Sequence, residues 1–362
     1  MDAEKKVASE NRRPWIVDTT LRDGEQAPGV AFCRRDKMDI AGHLDRAGID
    51  ELEAGTPVMG TGVQEDIRRI AAMGLGCRLS VWCRARPDDL AAAARCNVSG
   101  VHISLPVSSI HLAALGKDRT WVLTRMEQMV QQARMYFDYV SVGAQDATRA
   151  EIDLLGRFAA VAQDLGADRL RIADTVGVAH PGSVTALIGK IRQAAPHLPI
   201  EFHAHNDLGM ASANALTALE SGARAVSVTV NGLGERAGNA ALEQIAMALS
   251  MHDRFACPLD TSRLLSLSRL VARAAGKPVP PDQPVVGDGV FTHESGIHCH
   301  AMFRQNRAYE PFDPQLAGHA DRRFVLGAHS GTAAIRNLLG RAGIRISHSQ
   351  ARALKPLFAG QM

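Results

Sequence analysis

Eight short β-rich segments, each followed by an Ala- and Leu-rich stretch with helical spacing, constrain the fold of this chain most strongly. The strands are predicted at 16–23, 51–56, 78–84, 101–106, 139–144, 170–175, 200–205 and 225–231. Outer helices are predicted at 34–47, 120–136, 150–165, 183–194 and 210–220. Eight such units in about 235 residues favour an α/β fold of the (β/α)8 TIM-barrel type, which typically has about 250 residues. A doubly wound open sheet is the structural alternative, because alternation alone does not show that a sheet closes.

The regular alternation fades after about residue 253, and the proline-rich stretch 277–284 is typical of a linker. This change of pattern divides the chain into three parts. We predict a polar N-terminal tail at 1–14, a barrel domain at 15–280 and a smaller, mainly helical C-terminal domain at 281–362.

Composition excludes several classes of protein. With 362 residues, of which 46% are hydrophobic and 22% charged, the chain is neither disordered nor a small disulfide scaffold. A net charge of +3 does not indicate a nucleic-acid partner. The six cysteines form no Cys-x-x-Cys pair, the first residues lack the apolar core of a signal peptide, and no segment approaches a membrane span. We therefore predict a cytoplasmic protein with reduced thiols and no membrane or nucleic-acid partner.

The seventh predicted strand carries two histidines two residues apart. Residues at i and i+2 of a strand share a face, so Glu201, His203 and His205 are expected to point together into the barrel mouth. Neutral imidazoles at this spacing can chelate one divalent ion. A hydrogen-bonded histidine pair is the alternative interpretation.

The ends of the first and eighth strands carry further polar residues. Arg22 and Asp23 lie at the end of the first predicted strand, and they form either a structural ion pair or part of a metal and anion site. The glycine-rich segment 231–239 fits neither a dinucleotide motif nor a Walker loop. It is expected to let the backbone and Asn239 approach the barrel mouth.

Three motifs in order resemble the signatures of 2-isopropylmalate and homocitrate synthases. They are DTTLRDGEQ at 18–26, HAHND at 203–207 and GLGERAGN at 232–239. The resemblance continues into the second domain through FTHESGIH at 291–298 and LGAHSG at 326–331. Within the family, TPVMG at 56–60, VWCR at 81–84 and SLPVS at 104–108 look most like the nitrogen-fixation type of homocitrate synthase.

The resemblance implies an acyltransferase that converts the acyl group into an alkyl group by a Claisen-type condensation. The methyl group of acetyl-CoA is deprotonated and adds to the keto carbon of a 2-oxo acid, and the thioester is then hydrolysed. The resemblance also implies one divalent metal ion, Mg, Mn or Zn. Its implied ligands are Asp23, His203, His205 and Asn239.

The resemblance assigns roles to further residues. Arg22 is implied both in catalysis and in substrate binding, and Gln26 and Thr175 in substrate binding. His298 matches the family's catalytic histidine, with Glu201 near it and Tyr309 eleven residues on. In relatives this histidine and tyrosine come from the partner subunit, so a homodimer with shared active sites is expected.

The substrate implied by the subfamily is 2-oxoglutarate, giving homocitrate. His102 and Ser104 flank the expected pocket and complete the substrate-binding candidates. Three positions depart from the family pattern. His102 stands where related enzymes have Asp, Gln145 stands where they have Glu, and Trp82 stands where the lysine-pathway homocitrate synthases have His. The alternatives are a synthase acting on another 2-oxo acid, giving isopropylmalate, citramalate or a specialised malate analogue, a barrel lyase running the reverse cleavage, or a non-catalytic acyl-CoA-binding barrel.

Overall fold

A closed, fully parallel eight-stranded barrel forms the larger part of the chain. The computed structural model describes residues 12–359. Its barrel strands are β1 (Trp15–Asp18), β2 (Glu51–Glu53), β3 (Arg78–Arg84), β4 (Gly100–Pro106), β5 (Tyr139–Gln145), β6 (Arg169–Asp174), β7 (Ile200–Ala204) and β8 (Ala225–Val228). Each strand pairs with the next, and β8 pairs with β1 to close the barrel. The predicted barrel is confirmed, and the open sheet is excluded.

Helices surround the barrel and make up most of the C-terminal region. They are α1 (Arg34–Ala47), α2 (Thr61–Ala71), α3 (Pro87–Ala93), α4 (Ser109–Ala114), α5 (Arg119–Ala133), α6 (Ile152–Asp164), α7 (Pro181–Ala194), α8 (Ala211–Glu220), α9 (Leu242–Ser250), α10 (Leu264–Ala275), α11 (Gly296–Met302), α12 (Thr332–Arg341) and α13 (His348–Ala359). A short pair of strands, β9 (Thr292–His293) and β10 (Arg323–Phe324), accompanies the last three helices. The mainly helical C-terminal region agrees with the prediction.

The strands alternate between an apolar face toward the helices and a polar face toward the barrel interior. In β4, Val101, Ile103 and Leu105 are fully buried. His102 alternates with them and bonds to Ser141, its neighbour on β5. Because successive side chains of a strand point to opposite faces, the apolar ones pack against the outer helices and the polar ones line the barrel interior.

Three of the predicted strands end at least three residues earlier than expected. The first ends at Asp18, because its carboxylate accepts hydrogen bonds from the amide and hydroxyl of Thr20 and turns the chain. The carbonyl of Thr19 then accepts the amides of residues 22, 23 and 24. Arg22 and Asp23 therefore lie on a tight turn above β1, not on the strand. The second and eighth strands end at Glu53 and Val228.

A network of buried charges fills the barrel interior below the mouth. Glu51 bonds to Arg169, which also lies 2.7 Å from Glu201. Arg171 lies between Glu201, at 2.7 Å, and Glu53, at 2.8 Å. Glu53 also pairs with the guanidinium of Arg22. These six groups balance three carboxylates with three arginines, and such pairing is what makes burying charge tolerable.

Asp18 is a buried carboxyl that has no cationic partner among residues 12–359, and its titration affects stability. Burial raises the pKa of Asp18 from 3.8 to about 7, and the hydrogen bonds from Thr20 only partly oppose this. Because the folded-state pKa lies above the unfolded value, the stability contributed by the protonated group is complete below about pH 4 and is lost as the pH rises toward 7.

The variant Asp18→Asn is neutral at every pH and keeps an oxygen for the Thr20 amide. We measure the free energy of unfolding of both proteins in urea. The difference between them is expected to grow by about 2 kcal/mol in favour of Asp18→Asn as the pH rises from 5 to 8. The matched control is Asp253→Asn, which changes an exposed aspartate. A difference between wild type and Asp18→Asn that stays constant over this pH range would contradict the assignment.

The described residues form two compact units. One comprises residues 12–260 and 267–278, and the other comprises residues 261–266 and 279–359. Among residues 12–359, no helix combines the length and the apolar character required to cross a bilayer. The predicted tail at 1–14 lies mostly outside the described residues. Arg12, within it, exchanges backbone hydrogen bonds with residues 254 and 256.

Candidate active site

Three ligand atoms converge at the mouth of the barrel. Nε2 of His203 lies 3.3 Å from Nε2 of His205, and these nitrogens lie 3.4 and 3.9 Å from Oδ2 of Asp23. All three residues are buried, and their ligand atoms lie within 4.8 Å of one another. A hydrogen-bonded histidine pair would explain the first distance alone. The convergence of a carboxylate oxygen and two imidazole nitrogens on one point is the donor set of a divalent metal site.

The electrostatics keep His205 and Asp23 deprotonated at neutral pH. Burial and the neighbouring His203 lower the pKa of His205 to about 4. Burial opposes the ionisation of Asp23, but Arg22 and the two histidines outweigh it and hold the pKa well below 3.8. A metal ion competes with protons for its ligands, so deprotonated groups at neutral pH suit metal binding.

Asn239 completes the cluster. Its Nδ2 donates to Oδ1 of Asp23 at 2.9 Å and to the carbonyl of Leu233 at 3.1 Å, while its Oδ1 is buried and has no hydrogen-bond partner within residues 12–359. An orphaned buried oxygen next to three convergent ligands is what a bound ion would satisfy. The four predicted metal ligands therefore lie together, and their chemistry fits one divalent ion.

Gly234 leaves room for the Asn239 amide. A Cβ atom at position 234 would lie 2.1 Å from Nδ2 of Asn239 and 3.2 Å from Oδ1 of Asp23. The glycine-rich segment thus brings a side chain to the site by close approach of the backbone, as its composition predicts, and does not cradle a phosphate.

We expect Gly234→Ala to displace Asn239 and weaken metal binding by about 10- to 100-fold, the usual cost of disturbing groups that orient metal ligands. A competition titration with a chromophoric chelator measures this. The matched control is Gly62→Ala in α2, where an added Cβ meets no atom within 4 Å. The expectation is wrong if the two variants bind metal equally well.

Arg22 is held between two carboxylates beside this cluster. Its Nη1 donates to Oδ2 of Asp23 at 2.7 Å, its Nε donates to Glu53, and its guanidinium carbon lies 5.5 Å from the ring centre of Trp82. Both interpretations from the sequence therefore hold in part, because Arg22 is ion-paired and also adjoins the convergent ligands. Gln26 lies on the same turn segment, is exposed, and lines a cavity of about 470 Å³ beside Arg22.

Thr175 follows the end of β6, and its hydroxyl accepts a hydrogen bond from the amide of Asp146 at 2.8 Å. Within residues 12–359 the hydroxyl proton of Thr175 has no acceptor, so it remains free for a ligand. Asp146 has a left-handed backbone (φ 62°) and is fixed by Arg149 at 2.8 Å and Ser108 at 2.5 Å. The loop after β5 thereby orients the threonine.

His102 lies deeper than the mouth. Its Nδ1 lies 3.0 Å from Oγ of Ser141, and its ring fills the space above Gly143, where a Cβ atom would lie 2.5 Å from Nε2. Burial and nearby arginines, Arg171 above all, lower its pKa well below 6.5, so the imidazole is neutral. Ser104 lies two residues further along β4, near the end of the strand, and is half-buried.

Glu201 does not lie with the histidines. It is fully buried in the charge network, paired with Arg169 and Arg171 and accepting a hydrogen bond from Ser227. Burial opposes its ionisation, but these partners outweigh burial and lower its pKa. The expectation that Glu201 points into the mouth is corrected, because the strand face it shares with His203 runs down into the interior, where arginines bind it.

His298 and Tyr309 lie together in the C-terminal unit. Their rings stack with centres 3.9 Å apart and planes 22° apart. Both side chains are exposed, Tyr309 to 44%. Next to Tyr309, the buried Glu310 binds His293 at 3.1 Å and Arg322 at 3.0 Å. This structural cluster fixes the segment that carries the tyrosine.

Sequence reasoning missed the residues that hold Arg22 in place. Glu53 and Arg171 form the contacts beneath it. The sequence contained a signal for these contacts. Charged residues at i and i+2, as in β2 and β6, share one face of a barrel strand, and once that face is buried in the interior they need partners there. Arg84, which lines the cavity beside Arg22, was also missed.

Each part of the chain matches a known protein family. Residues 13–271 match the family model described as HMGL-like, and residues 285–358 match the one described as homocitrate synthase post-HMGL domain-like. The chain belongs to the homocitrate and 2-isopropylmalate synthase family. The family resemblance read from the motifs is thereby confirmed.

Relatives within this family bear several names. A homocitrate synthase of Frankia alni is 46% identical over 91% of this chain and 93% of its own length. A 2-isopropylmalate synthase of Caldanaerobacter subterraneus subsp. tengcongensis is 46% identical over 94% of this chain and 89% of its own. A 2-phosphonomethylmalate synthase of Streptomyces rubellomurinus is 44% identical over 91% and 88%. Overall identity therefore does not separate the substrates of these synthases.

The barrel also matches solved structures at low sequence identity. Hydroxymethylglutaryl-CoA lyase from Pseudomonas aeruginosa superposes with a TM-score of 0.66 at 20% identity, covering 75% of this chain and 96% of that chain. At this identity the likeness establishes the fold alone. The family membership rests on the synthases.

Proposed function

We propose that this synthase condenses acetyl-CoA with 2-oxoglutarate to give homocitrate and CoA. The observation that carries the proposal is the convergence of Asp23, His203 and His205 beside the ion-paired Arg22, in a chain whose two units both match the synthase family. When bound, a divalent ion would polarise the keto and carboxylate oxygens of the 2-oxo acid. The identity of the acid is the finer part of the proposal.

The residues around the cluster bind and orient the 2-oxo acid. Arg22 places positive charge next to the keto oxygen, and the unpaired hydroxyl proton of Thr175 donates to the adjacent carboxylate. Gln26 lies at the entrance, where its amide can bond to the same end of the substrate. Donors fixed in advance at the position where charge develops stabilise the transition state.

Proton removal from acetyl-CoA is assigned to His298, with Tyr309 stacked on it. An imidazole nitrogen takes the methyl proton, the carbanion forms a bond to the keto carbon, and the keto oxygen becomes the alcohol after protonation. Water then cleaves the thioester and releases CoA. We propose that the exposed His298 and Tyr309 serve the barrel of the partner subunit, so that the active enzyme is a homodimer.

The polar lining of the barrel mouth supports an acid with a polar remote group. Where β3, β4 and β5 end, the inward positions are Arg84, Ser104 and Gln145, with His102 and Ser141 beneath them. A branched apolar group such as that of 2-oxoisovalerate would leave these donors without partners.

We expect kcat/KM for 2-oxoglutarate to exceed that for 2-oxoisovalerate by at least about a hundredfold, corresponding to about 3 kcal/mol of differential binding. The measurement is thiol release with acetyl-CoA and a panel of 2-oxo acids, with the products identified by mass spectrometry. Reactions without acetyl-CoA or without metal are the controls. Equal or better turnover of 2-oxoisovalerate or pyruvate would exclude the homocitrate assignment, and cleavage without condensation would point to a lyase.

A further inference from the structure

The cavity of about 470 Å³ beside Arg22 contains a second arginine, Arg84, to which the mechanism above assigns no contact with the substrate. It opens between the ends of β1, β2 and β3. Arg22 and Arg84 both line it, and Trp82 lies on the same wall. Lys37 also lines it, but this ammonium is already matched by Glu25 at 3.0 Å and Asp66 at 3.7 Å.

Each of the two guanidinium groups is anchored on one side only. Arg22 uses Nε and Nη1 to bind Glu53 and Asp23. Arg84 uses Nε and Nη2 to bind the buried Asp89, both at 2.9 Å. Within residues 12–359, no hydrogen bond or ion pair uses Nη2 of Arg22 or Nη1 of Arg84. Both groups are therefore held rigid and keep a donor nitrogen for a ligand.

The indole of Trp82 lies beside Arg22 and shares a strand face with Arg84. Trp82 and Arg84 share one face of β3, with their Cα atoms about 7 Å apart. The guanidinium of Arg22 lies 5.5 Å from the indole centre. Arg84 pairs in register with Ser104 of the neighbouring strand β4. The cavity is thus lined by two guanidinium groups and an indole, while the carboxylates of Glu25 and Asp66, which also line it, pair with Lys37. Two guanidinium groups on one cavity suit a short chain with an anionic group at each end.

We propose that Arg84 binds the remote anionic group of the 2-oxo acid, while Arg22 binds the keto acid end. This inference rests on the proposed function, because it takes the keto acid end to lie at Arg22. A carboxylate, as in 2-oxoglutarate, and a phosphonate, as in phosphonopyruvate, share the chemistry that Arg84 recognises. Arg84 is accordingly a specificity-determining residue.

The test compares acids with and without a remote charge. The quantity measured is the ratio of kcat/KM for 2-oxoglutarate, or for phosphonopyruvate, to kcat/KM for 2-oxobutyrate. Arg84→Met is expected to lower this ratio about 30-fold, mainly through KM, as expected for loss of one charge-assisted hydrogen bond. Arg84→Lys, which keeps the charge, is expected to recover part of the ratio.

Two further variants separate specificity from folding. Arg84→Met leaves the buried carboxylate of Asp89 without its partner, so the double variant Arg84→Gln with Asp89→Asn keeps a neutral hydrogen-bonded pair and is expected to show the same fall in ratio. Arg86→Met removes an exposed arginine two residues along and is expected to leave the ratio unchanged. Circular dichroism melting shows which variants are folded.

The outcomes distinguish this inference from the proposed function. If the wild type uses 2-oxoglutarate and the ratio is the same in the folded double variant, the role of Arg84 is overturned and the homocitrate assignment stands. If the wild type prefers phosphonopyruvate and loses that preference with Arg84, the inference is supported and the homocitrate assignment fails. If the wild type uses only acids without a remote charge, both are overturned.

Discussion

Replacing His203 by alanine is expected to abolish metal binding and condensation together. Nε2 of His203 lies 3.3 Å from that of His205 and 3.4 Å from the carboxylate of Asp23, so its loss leaves two ligands of the convergent three. Charge stabilisation by a bound ion contributes several kcal/mol, so we expect kcat/KM to fall by at least about a thousandfold. Metal content by atomic emission and the rate of thiol release measure the two effects.

The matched control removes an exposed imidazole. His197→Ala changes a histidine between α7 and β7 that lies outside the site, and it is expected to keep wild-type metal content and rate. Far-ultraviolet circular dichroism should show an intact barrel in both variants. Wild-type metal content and rate in a folded His203→Ala protein would refute the ligand assignment.

His298→Ala is expected to bind metal and 2-oxoglutarate like the wild type but to fail to exchange the methyl protons of acetyl-CoA with deuterated solvent. His298 lies in the C-terminal unit, whereas the convergent ligands lie in the barrel unit. Removing the base leaves the ligands untouched and removes the proton acceptor, which general acid–base catalysis requires within hydrogen-bonding reach. Exchange is followed by proton magnetic resonance of the methyl signal.

Mixing two inactive chains tests whether the site is shared between subunits. In a hybrid dimer of His298→Ala and His203→Ala chains, the intact barrel of the first chain would meet the intact His298 of the second chain. Random assortment makes half of the dimers hybrid with one complete site each, so about a quarter of the wild-type activity per chain is expected. Hybrids demonstrated by differential tags but without activity would exclude the shared site.

Much of the fold could be predicted from local pattern. Helix α1 was predicted with the bounds it has, because Gly48 ends it in a left-handed conformation and apolar residues recur on one face. The strand ends were less predictable. Asp18 ends β1 through hydrogen bonds to Thr20, and apolar alternation gives no sign of such a turn.

The candidate site was predictable where residue type and spacing together specify chemistry. Two histidines at i and i+2 share a face in any strand, and the turn bearing Asp23 lies above the same barrel. Glu201 shows the limit of this reasoning. Spacing placed it on the same face as His203, but a strand face spans several layers of the barrel, and arginines from β6 bind Glu201 in a lower one.

The sequence by itself determined the barrel and the family, and it predicted the types of the candidate metal ligands, because periodicity and motif order are local properties that survive without knowledge of packing. Only the tertiary structure decided which charges pair. Glu51 and Arg169 are 118 residues apart, and Arg22 and Glu53 are 31 apart. Such pairings depend on the depth of each side chain inside the closed barrel, since a buried charge must bind whichever opposite charge the closure brings within reach. The same closure leaves one nitrogen of Arg22 and one of Arg84 facing a common cavity, which no spacing in the sequence reveals.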